Sequence, residues 1–227
     1  MKLSKPGGFS LIEVALVVAI MAIIGGGLIS SIGARLINQR IAHTERHLRD
    51  ARTALVGFAA VNDARLPCPD ADGDGKSDRV APERAATNVF CEVVDGGLPW
   101  RTLGVAAQDA WGNVVRYRPD AAFAHPGGLA SPPNTRDGIT VLEARTGVAL
   151  TLGDPHAPAA IVYSCGTNGQ ADGENVPVNA PSSCLDGVVL DMVYAYGPPG
   201  ADFDDIVVWV SKNVLIAHLV AAGAWPH

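Results

Sequence analysis

Apolar positions take three textures along this 227-residue chain. From Phe9 to Ile32 they are nearly continuous, FSLIEVALVVAIMAIIGGGLISSI, with no Lys, Arg, Asp or Pro and a single charge, Glu13. A helix crosses a hydrocarbon core in about 20 apolar residues, so residues 9–32 predict a membrane-spanning helix. Beyond it Ile37, Ile41, Thr44, Leu48, Ala51, Leu55 and Phe58 recur at alternating steps of four and three. That spacing lays one stripe along an amphipathic helix over residues 33–62. No proline occurs between Phe9 and Leu66, so one helix of roughly 80 Å is predicted from the apolar run to about Val61, at about 1.5 Å per residue. Gly25, Gly26 and Gly27 are its weak point, each costing a helix about 1 kcal/mol relative to Ala. Thr44 and Ala51 make a poor coiled-coil seam, so the stripe is expected to pack against a sheet.

After Asn62 the apolar runs are short and divided by Gly, Pro, Asn and Asp. They predict strands at Val114–Arg118, Gly138–Glu143, Val148–Thr151, Ala160–Ser164, Val188–Tyr196 and Ile206–Val210, antiparallel rather than joined in β-α-β units. Lys212–Ala222 has helical spacing. Ala121–Arg136, rich in Pro and Gly, is expected to be an exposed loop. The fold class predicted is α+β, a long N-terminal helix packed on an antiparallel sheet in a body spanning 63–227.

The apolar run begins unusually. A basic leader, MKLSKPGG, ends in a Gly pair against Phe9, no small-residue cleavage site follows the run, and Glu13 stands at a depth where a charge costs about 2.5 to 3.5 kcal/mol. With Gly8, Phe9 and Glu13 inside the string GFSLIEVALVVAIMAII, this segment resembles the type IV pilin and type II secretion pseudopilin family over roughly Lys5 to Ile24. The body is similar in shorter stretches. DAWGN at 109–113 resembles the D-P-W-G-N turn of secretion pseudopilins with Ala110 for their proline, and RLPCPDADGDG at 65–75 and DDIVVWVS at 204–211 resemble large pilin-like proteins of Gram-negative bacteria.

The resemblance implies a pilin-like fold and a leader, residues 1–8, removed by a prepilin peptidase between Gly8 and Phe9, with methylation of the new amine. It implies a single-pass inner-membrane protein with its N-terminus cytoplasmic and its body periplasmic. Residues 9–32 would anchor the chain in lipid and then form a filament core. The partners implied are the peptidase, other pilin or pseudopilin subunits and the inner-membrane assembly platform. Glu13 has a physical use in that setting, because cleavage creates an amine at Phe9 that can neutralise it, in the same chain or in a neighbour. The size exceeds that of the usual major pseudopilin, which implies a minor subunit. The alternative is a filament-tip protein contacting DNA, a surface or secreted cargo.

Charge and cysteines refine this picture. The net charge is −6, and from Asp63 onward 10 basic residues face 20 acidic ones. Such a body argues against nucleic acid as a partner, which calls for basic surface. Lys2 and Lys5 favour a cytoplasmic N-terminus, whereas the arginines after Ile32 pull the other way. Cys68, Cys91, Cys165 and Cys184 are even in number and widely spaced, without the C-x-x-C of zinc or redox motifs. They read as two disulfides made in an oxidising compartment. Three pairings are open, and Cys68–Cys91 with Cys165–Cys184 is the one expected.

Asp70, Asp72, Asp74 and Asp78, around Gly75, supply hard oxygens at alternating positions before a tight turn, which suits Ca²⁺. The loop departs from an EF-hand in carrying Ala81 where the closing Glu would stand. Asp202, Asp204 and Asp205 form a second acidic group. His43 and His47 lie one helical turn apart without a third ligand and read as surface residues. No nucleophile elbow, phosphate loop or H-E-x-x-H occurs, so no enzymatic activity is expected.

Overall fold

The computed structural model describes residues 8, 10–80, 90–125, 133–176, 184, 192–200 and 202–225, with the backbone alone over 24–32. Its first element, α1, is Leu11–Val61. Ser10 caps it: the Ser10 carbonyl accepts from Glu13 N at 2.9 Å and Val14 N at 3.2 Å. The Ser10 N–H in turn donates to Glu13 Oε2 at 3.4 Å. Ser-x-x-Glu at residues 10–13 thus forms one arm of a capping box, meeting a backbone donor outside the helical ladder.

The chain divides into two compact units, Met1–Arg40 and Ile41–His227. In the first, Leu11, Ile12, Leu16, Met21 and Ile23 are all exposed. Among the described residues no helix is long and apolar enough to cross a membrane. The expected span is described only in part, since Phe9 and the side chains of 24–32 lie outside the described residues.

The second unit is an α+β body. Strands β1 (Gly96–Gly97), β2 (Arg116–Pro119), β4 (Pro158–Ser164) and β6 (Ile206–Ser211) form an antiparallel sheet in the order β1-β2-β4-β6. A short helix α2 (Trp100–Leu103) follows β1, and α3 (Lys212–Ala221) follows β6. Strands β3 (Thr140–Glu143) and β5 (Val193–Tyr196) pair with each other as a separate two-stranded sheet.

Alternation along the strands gives the main sheet two buried faces. Tyr117, Ala160, Val162 and Val210 join Leu48, Ala51, Leu55 and Ala59 of α1 and Leu215 and Leu219 of α3 in one core. Ile161, Tyr163 and Val207 point the other way, into a second core with Val141 of β3 and Tyr194 of β5. The predicted stripe is therefore the packing face of α1 from Ile41 on: Thr44, Leu48, Ala51 and Leu55 are buried, whereas Ile37 is exposed.

Four sequence expectations need correction. β3 and β5 run parallel, not antiparallel. Residues 148–151 form no strand and contribute one isolated bridge, Leu142 to Ala149. The described ends of the 121–136 segment are not an exposed loop, because Phe123, Ala124 and Thr135 are buried; Phe123 joins the core with α1 and Ala124 packs with Cys68 and Cys91. His47 is buried rather than on the surface, since it lies one turn past Thr44 on the packed side of α1.

Candidate functional site

The site is built from the end of β4 outward. Asp109 is buried, and its Oδ1 accepts from Trp111 N at 2.8 Å and Asn113 N at 2.9 Å, which folds the DAWGN turn. Its Oδ2 accepts from Ser164 Oγ at 2.6 Å, and Asn113 Nδ2 donates to Gly166 O at 2.6 Å. On its other side the turn reaches α1, where Ala110 N donates to Thr44 Oγ1 at 3.1 Å. Thr44 interrupts an apolar stripe because it supplies an acceptor to this turn. One asparagine, one aspartate and one threonine thus tie the helix, the turn and the end of β4 together.

Beyond Ser164 the chain leaves the sheet and wraps around Asp204. Asp204 Oδ2 accepts from Thr167 N at 2.8 Å and Asn168 N at 3.1 Å, and Asp204 N donates to Asp172 Oδ2 at 2.8 Å. Asp205 Oδ2 accepts from Asp172 N at 2.8 Å and Asn175 Nδ2 at 2.9 Å. Asp172, Asp204 and Asp205 each offer a carboxylate oxygen, and these lie within 4.8 Å of one another. Asp205 is fully buried, and its Oδ1, like that of Asp204, has no hydrogen-bond partner among the described residues. A buried carboxylate oxygen left without a donor is costly, by about 1–3 kcal/mol or more. A divalent cation would satisfy both oxygens and relieve the repulsion among three acids. No family model, curated protein or solved structure matches the chain.

Burial is the largest influence on Asp205, and with its acidic neighbours it pushes the carboxyl up to about 7 against the donors on Oδ2. Burial first, and Asp172 with it, also raises Asp204. An Asp with an elevated folded-state value favours folding below its ordinary value near 3.9, and that advantage is lost as pH rises through about 7. Chelator-treated protein should therefore melt lower at pH 8 than at pH 5, Asp205 alone contributing on the order of 2.5 kcal/mol over that interval. Burial pushes Asp95 and Asp120 in the same direction, so Asp205→Asn should remove part of the slope. A parent that melts as high at pH 8 as at pH 5 without cation contradicts this.

The first acidic loop is tied up internally. Asp70 accepts from Gly73 N and Gly75 N, both at 2.8 Å, and Asp78 accepts from Ala71 N at 2.6 Å. Asp70, Asp72 and Asp78 bring carboxylate oxygens together within the same 4.8 Å limit, but Asp74 is not among them. It turns to Lys76, whose hydrogen bond is the main influence lowering its carboxyl. Ala81 lies outside the described residues.

Both disulfides form as expected, Cys68–Cys91 and Cys165–Cys184, each beside one acidic cluster. Of the processing residues, Gly8 is exposed and Phe9 lies outside the described residues. Sequence reasoning grouped Asp202 with Asp204 and Asp205, whereas the third carboxylate is Asp172. The signal was there in Gly169-Gln-Ala-Asp172-Gly173, a turn sequence whose distance from Asp204 hid its partner.

Proposed function

We propose that this chain is a pilin-like structural subunit, a minor component of a type IV pilus or of a type II secretion pseudopilus. It works by assembly and has no reaction of its own. The observation that carries the reading is the run from Gly8 to Ile24, with Glu13 five residues past Gly8. The architecture is compatible with it: a long N-terminal helix whose later turns pack on an antiparallel sheet. In this reading a prepilin peptidase removes residues 1–8, and residues 9–32 hold the subunit in the inner membrane with its body in the periplasm. Other pilin or pseudopilin subunits and the assembly platform then take it into a filament. Ca²⁺ is the cofactor we assign, first to Asp172, Asp204 and Asp205, where buried oxygens lack donors, and only second to the self-satisfied loop at Asp70, Asp72 and Asp78.

The test is processing. Gly8 is exposed, and a Cβ added there meets nothing within 4 Å, so the effect of Gly8→Val is expected at the peptidase step. The parent should yield a mature N-terminus at Phe9 and the variant should keep its leader almost entirely, as read by mass spectrometry of the membrane fraction. A parent N-terminus elsewhere sinks the assignment.

A further inference from the structure

We propose that the Cys165–Cys184 disulfide controls the cation site, which is complete only in the oxidised chain. The proposal rests on the reading of Asp172, Asp204 and Asp205 as cation ligands. These three are held in different ways. Asp204 and Asp205 immediately precede β6, whose six residues are paired along β4, so the sheet fixes them. Asp172 comes from the excursion after β4, outside the sheet: Thr167 and Asn168 are exposed, and Ala171 is its one buried apolar side chain between the cysteine and Asp172. Asp172 itself is tied to the pair by Asp172 N to Asp205 Oδ2 and Asp204 N to Asp172 Oδ2, both at 2.8 Å.

The far end of this excursion is held by buried Asn175, bonded to Ala195 of β5 and to Asp205, and its beginning by the disulfide and its surroundings. Cys165 and Cys184 are buried in the second core, with Cα atoms 5.9 Å apart. Cys184 N donates to Gly169 O at 3.3 Å, inside the excursion. Gly166, at φ +55°, lies so close to the Asp204 backbone that a Cβ would collide with it. The backbone donors of Thr167 and Asn168 reach Asp204 from that same stretch. Three carboxylates this close repel one another, and the repulsion can move the member outside the sheet, Asp172, more readily than the two that lead into β6. The staple opposes it by removing open-loop conformations, so that a cation meets a preformed site. Reduction by a dithiol, which supplies two electrons and two protons to give two thiols, frees the beginning of the excursion and leaves Asp172 positioned by its bonds to the pair and by Asn175 alone.

The Asp70 loop supplies an internal control. Its carboxylates are neighbours in sequence, closed by their own backbone donors, and its disulfide is Cys68–Cys91. Opening Cys165–Cys184 should leave that loop untouched.

The experiment titrates Ca²⁺ calorimetrically into the full chain in detergent micelles. It compares the parent with Asp205→Asn, Cys165→Ser/Cys184→Ser and Cys68→Ser/Cys91→Ser, with far-UV circular dichroism reading the fold. Mild reduction of the folded Cys68→Ser/Cys91→Ser variant by dithiothreitol, in which Cys165–Cys184 is the one disulfide left, provides the same arm if the Cys165→Ser/Cys184→Ser variant does not fold. We expect Asp205→Asn to abolish one binding event. Opening Cys165–Cys184 should weaken that event at least about tenfold, and the Cys68/Cys91 variant should retain it. If the open form binds within about threefold of the parent while Asp205→Asn still abolishes the event, disulfide control is wrong and the cation reading stands. If the parent shows no event that Asp205→Asn removes, the cation reading is wrong and the proposal goes with it.

Discussion

Arg116→Met should cost the body about 3 to 5 kcal/mol of stability, the usual penalty for orphaning one member of a buried ion pair. Arg116 projects from β2 toward the second core, and its Nη2 lies 2.7 Å from Asp95 Oδ1, both side chains almost wholly buried. The other oxygen, Asp95 Oδ2, accepts from Tyr194 at 3.3 Å and, at 3.4 Å, from Tyr163. Arg116 is also hydrogen-bonded to Tyr163, and Arg118 to Tyr194. Burial pushes the Asp95 carboxyl up while Arg116 pulls it back. Without the Arg116 guanidinium, burial is opposed only by the more distant charge of Arg118 and the hydrogen bond from Tyr194, and Asp95 is driven further toward its protonated form. The deficit should therefore widen as pH rises, because holding that proton becomes harder.

Two controls make the result interpretable. Asp95→Leu combined with Arg116→Met removes both charges and should regain part of the loss, since buried pairs are often replaceable by apolar residues. Recovery should stop short of the parent, because Tyr163 and Tyr194 each lose an acceptor, at about 1–3 kcal/mol for a buried group left unpaired. Urea unfolding of each variant measures it. A loss below about 1 kcal/mol for Arg116→Met would mean that the pair behaves as a solvated one.

This network also marks where the sequence was silent. Val114–Arg118 reads as a strand from its alternation, and the structure places β2 at Arg116–Pro119. Alternation, however, assigns Arg116 and Arg118 to a solvent face, and they instead face a second buried layer formed by β3 and β5. The strands of that layer were legible, within Gly138–Glu143 and Val188–Tyr196 (residues 188–191 lie outside the described residues), but nothing local signals their pairing with each other, which is parallel across some 50 positions. The α1 stripe was legible because its contacts repeat within the helix, at Thr44, Leu48, Ala51 and Leu55. Asp204 and Asp205 were legible as an acidic pair but Asp172 was not, since the sequence shows a cluster only when a single turn carries it. For the same reason the Asp70 loop looked the stronger metal site, although its hydrogen bonds already occupy much of its oxygen. The capping arm from Ser10 to Glu13 was missed for a different reason. Ser-x-x-Glu stood in plain view, but the cost of a charge among apolar residues drew the reading of Glu13 toward assembly alone.

Glu13→Ala should leave membrane insertion intact or improved and yet abolish or severely reduce incorporation into filaments. Insertion gains because a charge leaves the apolar run, by about 2.5 to 3.5 kcal/mol on insertion scales. Assembly loses because, in the filament reading, the Phe9 amine of an adjoining subunit enters an apolar core without its counter-charge, a deficit of roughly 3 to 5 kcal/mol. The hydrogen bond from Ser10 N to Glu13 Oε2 introduces a rival cause, since the Ala variant also loses one arm of its helix cap. An acidic group in a first turn contributes only about 0.3 to 1 kcal/mol, too little to abolish assembly, but the two causes are best separated by chemistry. Glu13→Gln keeps an oxygen able to accept from Ser10 N and discards the charge. If charge pairing governs assembly, Gln fails as Ala does. If capping governs it, Gln assembles like the parent and Ala alone fails. The measurement is recovery of each variant in sheared filaments, or its crosslinking to neighbouring subunits, at matched membrane levels and matched leader cleavage. Incorporation of both variants at the parent's level would show that Glu13 is not an assembly device in this chain. That outcome would move the subunit from the shaft to the tip, where no earlier subunit presents an amine to be neutralised.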